Sequence, residues 1–494
     1  MKNNVQLIAY VDRLTGSNIN ALHQLLTEQF KQLFSGVHLL PFYYPIDGSD
    51  AGFDPINHSK VDQRLGDWQN VYQLGTEFDL MADLIVNHVS AQSEEFIDVL
   101  EKGNQSAFWE LFITETKIFP QGMSESEQDK IYRPRPGKCF STYTLANGTD
   151  VEFWTTFTKN QIDIDVTSPA GQRYLENILT IFSQNNIKML RLDAAGYAIK
   201  KANTSCFMLP ETYDFIDDLT QKANQLGMAT LVEIHAYYKT QIEIAKRVDH
   251  VYDFALPPLV LHTLFEQDHQ ALVHWLEISP KNCITVLDTH DGIGIIDVGP
   301  IDNNAGLLTP TEIDRLVVQI HTNSNNQSLK ATGSAASNVD IYQVNCSYYD
   351  ALARNDYQYL LARAIQFFSP GIPQVYYAGL LAQTNDMSLL NKTNVGRDIN
   401  RPYLDAEQIY LALQKPVVKA LMALISIRNQ ADAFDGEFSI ISNAEYFTLR
   451  WQKTDSVASL LVNLTANIAT ITLVENNQQT RIELSELLMK YRAC

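Results

Sequence analysis

The sequence predicts an α/β protein built on a (β/α)8 TIM barrel, with inserted subdomains after strands 3 and 7 and a small C-terminal antiparallel β domain. Short apolar runs alternate with segments whose apolar residues recur at helical spacing, and this alternation indicates a parallel sheet. Eight such runs occur, and eight strands close a barrel. The alternative, an open doubly wound sheet, needs a glycine-rich turn after its first strand. Residues 5–12 contain no glycine, so the barrel is favoured.

The individual elements follow from the periodicity of apolar residues. The predicted barrel strands are residues 5–10, 36–40, 80–86, 187–192, 229–232, 251–254, 284–287 and 372–377. The predicted helices are residues 18–34, 68–78, 94–100, 169–184, 211–227, 239–247, 265–277, 310–322, 356–368 and 405–429.

The alternation of strands and helices lapses twice, and each lapse predicts an insertion into the barrel. We expect a catalytic barrel (domain A) from residues 1–89, 168–291 and 356–433. Residues 90–167 form the first insertion (domain B), and residues 292–355 form the second (domain B′). Residues 434–494 alternate apolar and polar side chains, which predicts a C-terminal β domain.

Composition limits the classes of partner and the compartment. The net charge of −20 over 494 residues argues against nucleic acid or an anionic membrane surface as a partner. No run of 18 apolar residues predicts a membrane span, and the first residues resemble a strand more than a signal peptide. The five cysteines are scattered without metal-ligand spacing. We therefore expect free thiols and a cytoplasmic protein.

Polar side chains follow four of the predicted strands, at the barrel end where active sites form. Strand 3 ends in Asn87 and His88, and strand 4 carries Arg191 and Asp193 on one face. An arginine this close is expected to keep Asp193 ionised. Taken alone, the pair is better explained as a structural ion pair. Further polar residues follow strands 5 and 7: Glu233, His235, Asp288, His290 and Asp291.

Three carboxylates at one barrel mouth predict chemistry at a glycosidic bond. One carboxylate can attack the anomeric carbon or activate water, and a carboxylic acid can protonate the leaving oxygen. A third can stabilise the positive charge of the transition state. Each residue alone has a structural explanation, since Glu233 could be a helix N-terminal acid and Asp291-Gly292 an ordinary turn. Their joint occurrence on separate strands favours the catalytic interpretation.

Motifs for cofactors and metals are incomplete. The stretch Gly292-Ile293-Gly294 has no third glycine, which argues against a dinucleotide site. The dipeptide Gly137-Lys138 has Tyr132 where a phosphate loop needs its first glycine. Neither HExxH nor an EF-hand loop occurs. We therefore expect no cofactor and no metal.

Four segments in order resemble the signatures of the α-amylase superfamily: DLIVNH at 83–88, LRLDAAGY at 190–197, LVEIH at 231–235 and LDTHD at 287–291. Other segments are similar to the disaccharide phosphorylases within that superfamily: DAGFDP at 50–55, IYRPRPG at 131–137, AASN at 335–338, YQVN at 342–345 and GRDINR at 396–401. The similarity runs from the first strand to about residue 435 and fades in the tail.

The resemblance implies a retaining exchange of sucrose and inorganic phosphate for α-D-glucose 1-phosphate and fructose, without a cofactor and with a homodimer as the assembly. It implies Asp193 as nucleophile, Glu233 as acid and base, and Asp291 as transition-state stabiliser. Glucosyl contacts would come from Asp50, Phe53, His88, Phe157, Arg191, Tyr197, His290 and Arg397. The acceptor side would comprise Tyr132, Pro134, Arg135, His235 and the loop residues Asp340, Ile341, Tyr342 and Gln343.

Phosphate must approach a site that holds several carboxylates, so a nearby cation has to offset the repulsion. Arg133, Arg135 and Lys138 form the candidate basic cluster, because bidentate arginine suits phosphate. Without the resemblance, this proline-rich stretch is better explained by a stiff surface loop. Departures from the family pattern at Asn57 and Ile341 are conservative.

Several functions stay open from sequence. Gln343 favours unphosphorylated sucrose, because relatives that act on sucrose 6-phosphate tend to carry histidine there. A sucrose 6-phosphate or other glucoside phosphorylase and a sucrose hydrolase are the alternatives within the enzyme class. A catalytically silent barrel used for binding is the alternative outside it, and the presence of all three carboxylates argues against it.

Overall fold

A computed structural model of the chain describes residues 2–48, 50–133, 137–332 and 343–492. Eight parallel strands form a closed barrel in which each strand pairs with its neighbours in the sequence, so the predicted (β/α)8 barrel is confirmed. The barrel strands are β1 (Gln6–Ala9), β2 (Gly36–Leu39), β3 (Asp79–Ile85), β4 (Ile187–Asp193), β5 (Ala229–Val232), β6 (His250–Asp253), β7 (Cys283–Thr285) and β8 (Ile372–Tyr376).

The barrel interior contains a hydrogen-bonded polar layer beneath the mouth. Gln374 of β8 donates to Gln6 of β1 across a 3.0 Å hydrogen bond, and both side chains are buried. His38 of β2 lies 3.0 Å from Asp83 of β3. Because buried polar groups are costly without partners, these pairs constrain which strands can be neighbours.

The helices that cover the barrel carry apolar residues on the face that packs against the strands. Helix Pro169–Gln184 illustrates the local signals, since the Ser168 hydroxyl accepts from Gly171 N and a proline occupies the first turn. Its buried residues, Leu175, Ile178, Leu179 and Phe182, recur at helical spacing. The other helices around the barrel are Val11–Thr15, Ile19–Glu28, Trp68–Leu74, Pro210–Gln225, Tyr238–Ala245, Leu256–Glu266, Gln270–Ile278, Asp356–Phe368, Tyr377–Leu380, Met387–Thr393, Ala406–Gln414 and Pro416–Gln430.

Three helical predictions need correction. One helix was expected at 265–277, whereas two are present, Leu256–Glu266 and Gln270–Ile278. The first was missed because it is apolar on all sides and begins with two prolines in its first turn. The predicted helix 405–429 is two helices that meet at Pro416 with an 81° bend. The tail, expected to be β structure alone, ends in helix Leu484–Arg492.

The first insertion has its own small core and is joined to the barrel by an antiparallel pair. His88–Ser90, directly after β3, pairs with Gln161–Asp163. A hairpin of Phe140–Thr144 and Asp150–Trp154 packs Trp154 against Phe119 and Phe140. The short helices of this region are Glu94–Lys102, Glu115–Ile118 and Glu125–Gln128.

A buried lysine connects this insertion to the barrel. Lys200 Nζ lies 2.8 Å from Asn87 Oδ1 at the end of β3 and 2.7 Å from Asp163 Oδ2 in the insertion. It also donates to the Tyr197 carbonyl and faces the Trp154 ring at 5.6 Å. Its side chain is only 2% exposed, so these oxygens replace the water that the ammonium loses on folding.

The second insertion places a two-stranded antiparallel ribbon beside the mouth. Ile293–Gly294 pairs with Gln343–Val344. The sequence predicted one helix here, residues 310–322, and it is present as Pro310–Asn323. Two further short helices, Gln327–Thr332 and Tyr348–Ala351, were not predicted.

The C-terminal region is a five-stranded antiparallel sheet in sequence order, which confirms the predicted β character. Its strands are Glu437–Ser442, Phe447–Lys453, Ser456–Asn463, Ile468–Glu475 and Gln478–Glu483. Trp451 donates from its indole nitrogen to the Phe368 carbonyl at 2.8 Å and packs on Phe434, so this sheet is fixed to helix Asp356–Phe368. The boundaries of the four regions stay a prediction.

Within the described ranges, no single helix is long and apolar enough to cross a membrane. The bent pair Ala406–Gln414 and Pro416–Gln430 passes that test jointly, by length and composition only.

Lys200→Met is expected to destabilise the fold by about 3–5 kcal/mol, because it leaves the Asp163 carboxylate buried without its cation. The measurement is the free energy of unfolding in urea. Lys201→Met is the matched control, since Lys201 is exposed and pairs with Glu211 at the surface, and we expect it to leave the unfolding midpoint unchanged. Equal destabilisation by both variants would contradict the structural role of Lys200.

Candidate active site

The carboxyl ends of the barrel strands surround a cavity of about 690 Å³, counted to its mouth. Most of the predicted site residues that the structure describes line it. The lining residues are Asp50, Phe53, His88, Phe157, Gln161, Asp193, Ala194, Gly196, Tyr197, Phe207, Glu233, Ile234, His235, His290, Asp291 and Arg397.

Arg191 lies beneath this cavity and contacts three carboxylates. Its guanidinium lies 2.5 Å from Asp83, 2.7 Å from Asp193 and 3.7 Å from Glu233. The contacts follow from barrel geometry, because Arg191 is directly opposite Asp83 in the β3–β4 register and shares a face with Asp193. One buried cation therefore connects strands β3, β4 and β5.

The expected charge balance at Asp193 needs correction. Arg191 was expected to hold Asp193 ionised, yet burial raises the pKa of Asp193 well above the usual range, and Arg191 offsets only part of this. The Glu233 carboxyl raises the pKa of Asp193 further. Asp83 acts in the same direction as Glu233, so burial and two neighbouring acids together outweigh the effect of Arg191 on the pKa of Asp193.

The backbone after Asp193 completes this contact. Ala194 adopts the left-handed conformation with φ of 55°, which costs energy for a residue with a side chain. Its N–H donates to Glu233 Oε2 at 3.3 Å. The turn therefore holds one Glu233 oxygen on the side of the cavity that Asp193 occupies.

Asp291 has the opposite electrostatic environment. Burial alone would raise its pKa, but Arg397 at 2.8 Å and Arg401 at 3.6 Å hold the pKa far below the usual range. His290, 3.7 Å away, contributes in the same direction. Asp291 is therefore a permanent anion, as a stabiliser of developing positive charge requires.

The closed end of the cavity combines aromatic walls with hydrogen-bonding groups. Phe53 stacks on His290 with ring centres 4.7 Å apart, and Phe157 contacts His88 edge-on at 5.3 Å. His88 Nε2 lies 3.0 Å from both the Phe53 carbonyl and Gln161 Nε2, and burial lowers the pKa of His88. A neutral imidazole and two aromatic walls suit the polar edges and apolar faces of a hexose ring.

Of the described residues predicted for the acceptor side, His235 lines the cavity, whereas Tyr132 and Gln343 contact residues that line it. Tyr132 packs against Tyr197 and Phe207, with ring centres 6.1 and 4.6 Å away. Gln343 Nε2 lies 3.0 Å from His235 Nε2. The predicted acceptor residues Pro134, Arg135, Asp340, Ile341 and Tyr342 lie outside the described residues.

Two other members of the predicted basic cluster are described, and neither lines the cavity. Arg133 is half-buried, and its charge lowers the pKa of Cys139 against the larger effect of burial. Lys138 is exposed. The strand-end residue Asp288 is also outside the cavity wall, because it forms a buried ion pair with Arg363 at 2.7 Å.

Sequence reasoning missed four residues of the site. Arg401 donates to the His290 carbonyl at 2.7 Å and faces Asp291, and it could have been found as the last residue of the quoted GRDINR segment. Gln161 and Phe207 come from segments without a recognisable motif. Asp297 lies 2.9 Å from His235 Nδ1, and its position after a glycine turn gave no signal.

The described residues include one group that could hold a metal ion, formed by Glu233, His235 and Asp291, whose ligand atoms lie within 4.8 Å of one another. Arg397 and Arg401 already compensate Asp291. His235 uses its Nδ1 for Asp297. These partners give the group a local charge balance that does not call for a cation.

A closed barrel with these buried carboxylates at its carboxyl mouth defines an enzyme of glycosidic-bond chemistry. The family described as "Alpha amylase, catalytic domain" matches residues 30–279, half of the chain. The chain belongs to the α-amylase family.

Curated relatives are similar over nearly the whole length. The chain is 57% identical to a sucrose phosphorylase of Agrobacterium vitis, with 96% of this chain and 97% of the relative covered. It is 49% identical to a sucrose phosphorylase of Bifidobacterium adolescentis, with 93% and 92% covered. The crystal structure of sucrose 6F-phosphate phosphorylase from Thermoanaerobacter thermosaccharolyticum superposes with a TM-score of 0.91 at 37% identity, covering 98% and 99%.

Asp83→Asn is expected to lose stability in a pH-dependent way. Burial would raise the pKa of Asp83, but His38 and Arg191 lower it from 3.8 to about 2. A lowered pKa in the folded state stabilises the protein above pH about 4, and this contribution disappears as the pH falls towards 2. The difference in unfolding free energy between wild type and variant should therefore narrow by about 2 kcal/mol over that range.

Urea unfolding between pH 7 and pH 2 measures this difference. Leu84→Ala, a buried change on the same strand without a titrating group, should show a constant difference. A constant difference for Asp83→Asn would contradict the ionic role of Asp83.

Proposed function

We propose that the protein is a sucrose phosphorylase, which transfers the glucosyl group of sucrose to inorganic phosphate with retention and releases D-fructose and α-D-glucose 1-phosphate. The observation that carries this proposal is the contact of Asp193 and Glu233 with one buried arginine, at a cavity that Asp291 also lines. The similarity to two sucrose phosphorylases, at 57% and 49% identity, supports the choice of substrate.

In the first step, Asp193 attacks the anomeric carbon of the glucosyl group while the bond to fructose breaks. Glu233 gives its proton to the departing fructose oxygen, and a covalent glucosyl ester forms on Asp193. Arg191 stabilises the carboxylate that remains, and the permanently ionised Asp291 stabilises the positive charge on the sugar.

In the second step, phosphate replaces fructose at the outer end of the cavity. A phosphate oxygen bonds to the anomeric carbon, the ester bond to Asp193 breaks, and the phosphate proton passes to Glu233. Two displacements at one carbon give net retention. His235 and Gln343 border the space that the acceptor enters.

The glucosyl group is held by the closed end of the cavity. Asp50, His88, His290 and Arg397 provide polar contacts, and Phe53, Phe157 and Tyr197 provide apolar surface. Arg191 acts from below through the carboxylates. Tyr132, Pro134, Arg135, Asp340, Ile341 and Tyr342 belong to the proposed acceptor side.

The alternative is a sucrose 6-phosphate phosphorylase, because the structure that superposes with a TM-score of 0.91 is of such an enzyme. Gln343 argues against it, because a neutral amide provides no charge for a second phosphate group. A sucrose hydrolase would need no phosphate at all.

We also propose a cytoplasmic location and a homodimer. The four described cysteines, Cys139, Cys206, Cys283 and Cys346, are buried free thiols, which suit a reducing compartment. Light scattering of the purified protein tests the dimer.

Incubation with sucrose, with and without inorganic phosphate, tests the function. We expect glucose 1-phosphate and fructose in equal amounts, with the rate of fructose release increasing with phosphate concentration. Sucrose 6-phosphate in place of sucrose should react poorly. Hexose release that neither needs phosphate nor yields glucose 1-phosphate would refute the phosphorylase assignment.

Variants of the two catalytic carboxyls should fail in different steps. Asp193→Asn should lower kcat with any glucosyl donor by at least about 10³-fold, because no nucleophile remains. Glu233→Gln should lower kcat with sucrose by about 10²–10⁴-fold, because fructose needs protonation. With α-glucosyl fluoride, whose leaving group needs no proton, Glu233→Gln should still form the glucosyl ester.

Asp214→Asn, on an exposed helix face near Arg247, is the control and should leave all rates unchanged. Retained turnover by Asp193→Asn would remove Asp193 as the nucleophile.

A further inference from the structure

Asp297 is a buried carboxylate behind the acceptor end of the cavity. It belongs to the short turn Ile296–Val298, is fully buried, and does not line the cavity. Its Oδ2 lies 2.9 Å from His235 Nδ1, and its Oδ1 accepts from Gln241 Nε2 at 2.9 Å and from Ala236 N at 3.2 Å. Three donors therefore fix the carboxylate on a single side of the His235 ring.

The surrounding structure preserves this contact. Gly294 lies so close that a Cβ at that position would be 2.2 Å from Asp297 Oδ2 and 3.1 Å from His235 Nδ1. The His235 ring also stacks on Phe254, with ring centres 3.9 Å apart and planes 13° from parallel. Neither the ring nor the carboxylate has room to move away from the other.

With Nδ1 held by Asp297, the other ring nitrogen of His235 faces the reacting groups. Its Nε2 is 3.9 Å from Glu233 Oε1 and 3.0 Å from the Gln343 side-chain nitrogen. The Gln343 amide fits either state of the ring, because its nitrogen can donate to a neutral Nε2 and, turned over, its oxygen can accept from a protonated one.

The charged groups with the largest effect on the pKa of His235 are anionic. They are Asp297 from the turn, Glu233 from the end of β5 and Asp291 from the end of β7. Burial alone would lower the pKa of His235, but these carboxylates raise it. A charged imidazole beside Glu233 offers phosphate a cation that water and neutral sugars do not need.

We propose that Asp297 is a positioning residue that makes the site selective for an anionic acceptor, by keeping a proton on His235 Nδ1 and a positively charged Nε2 edge beside Glu233. This inference rests on the proposed phosphorolysis. It concerns the second step only, in which the phosphate oxygen bonds to the anomeric carbon, the bond to Asp193 breaks and the phosphate proton passes to Glu233. Asp297 and His235 exchange no atoms in that step.

Asp297→Asn tests the proposal. The amide keeps one oxygen for Gln241 and Ala236, but its nitrogen faces His235 Nδ1 and reverses the hydrogen bond. We expect the KM for phosphate to rise at least about tenfold, while the rate of sucrose hydrolysis without phosphate changes less than about threefold. In both enzymes the ratio of phosphorolysis to hydrolysis should fall as the pH rises, and in the variant it should fall at a lower pH. The ionisation of phosphate is the same for both enzymes, so the shift between their pH profiles reports the ionisation of His235.

Two further variants separate positioning from stability. Asp253→Asn is the matched control. Asp253 is a buried aspartate on β6 that accepts a 2.9 Å hydrogen bond from Trp275 on the helical side of the barrel. Its substitution should leave the ratio of phosphorolysis to hydrolysis unchanged. Gln241→Leu removes a hydrogen bond to Asp297 and should shift that ratio in the same direction as Asp297→Asn, by about threefold. This second variant decides the question if Asp297→Asn does not fold.

The outcomes distinguish the two proposals. If wild type makes no glucose 1-phosphate, the proposed function is wrong. If wild type does so and Asp297→Asn lowers phosphorolysis and hydrolysis equally, or changes neither, the role of Asp297 is refuted.

Discussion

The site depends on the contacts that the Arg191 guanidinium makes with neighbouring carboxylates. This guanidinium is a buried cation in contact with Asp83, Asp193 and Glu233, carboxylates from three adjacent strands. Removing one partner from such a cluster leaves a buried charge uncompensated, which is far more costly than breaking a surface pair. The register of β3 against β4 and the charge state of the catalytic pair are therefore linked in one set of contacts.

The carboxyls at the cavity have two different electrostatic environments, and this difference accounts for their different proposed roles. Asp193 and Glu233 share one arginine, which also contacts Asp83, and burial raises the pKa of Asp193. Asp291 has Arg397 and Arg401 close by, so it stays ionised throughout. Chemically similar carboxyls thus take different roles because the number of nearby cations differs.

The sequence predicted the barrel because strand and helix periodicities differ and strand ends carry polar residues that stand out from apolar runs. Helix 169–184 and helix 356–368 were predicted with the bounds that the structure has, since serine or asparagine caps mark their starts. Helix Leu256–Glu266 was missed because a fully buried helix has no polar face. Asp193, Glu233 and Asp291 followed from their strands, whereas Gln161 reaches the site on a short strand of the first insertion and Asp297 on a turn, and no local pattern encodes either position. The pKa shift of Asp193 was also out of reach, because burial and the nearby Glu233 and Asp83 carboxyls cause it.

The ribbon of Ile293–Gly294 and Gln343–Val344 carries Gln343 to the acceptor end, while the hexose-facing carboxylates stand on barrel strands. Part of the proposed acceptor side therefore lies on an inserted ribbon, away from the strand ends that carry the carboxylates. Point changes in this ribbon can alter contacts to the receiving molecule without replacing Asp193, which makes the ribbon a place to begin when engineering new glucosides.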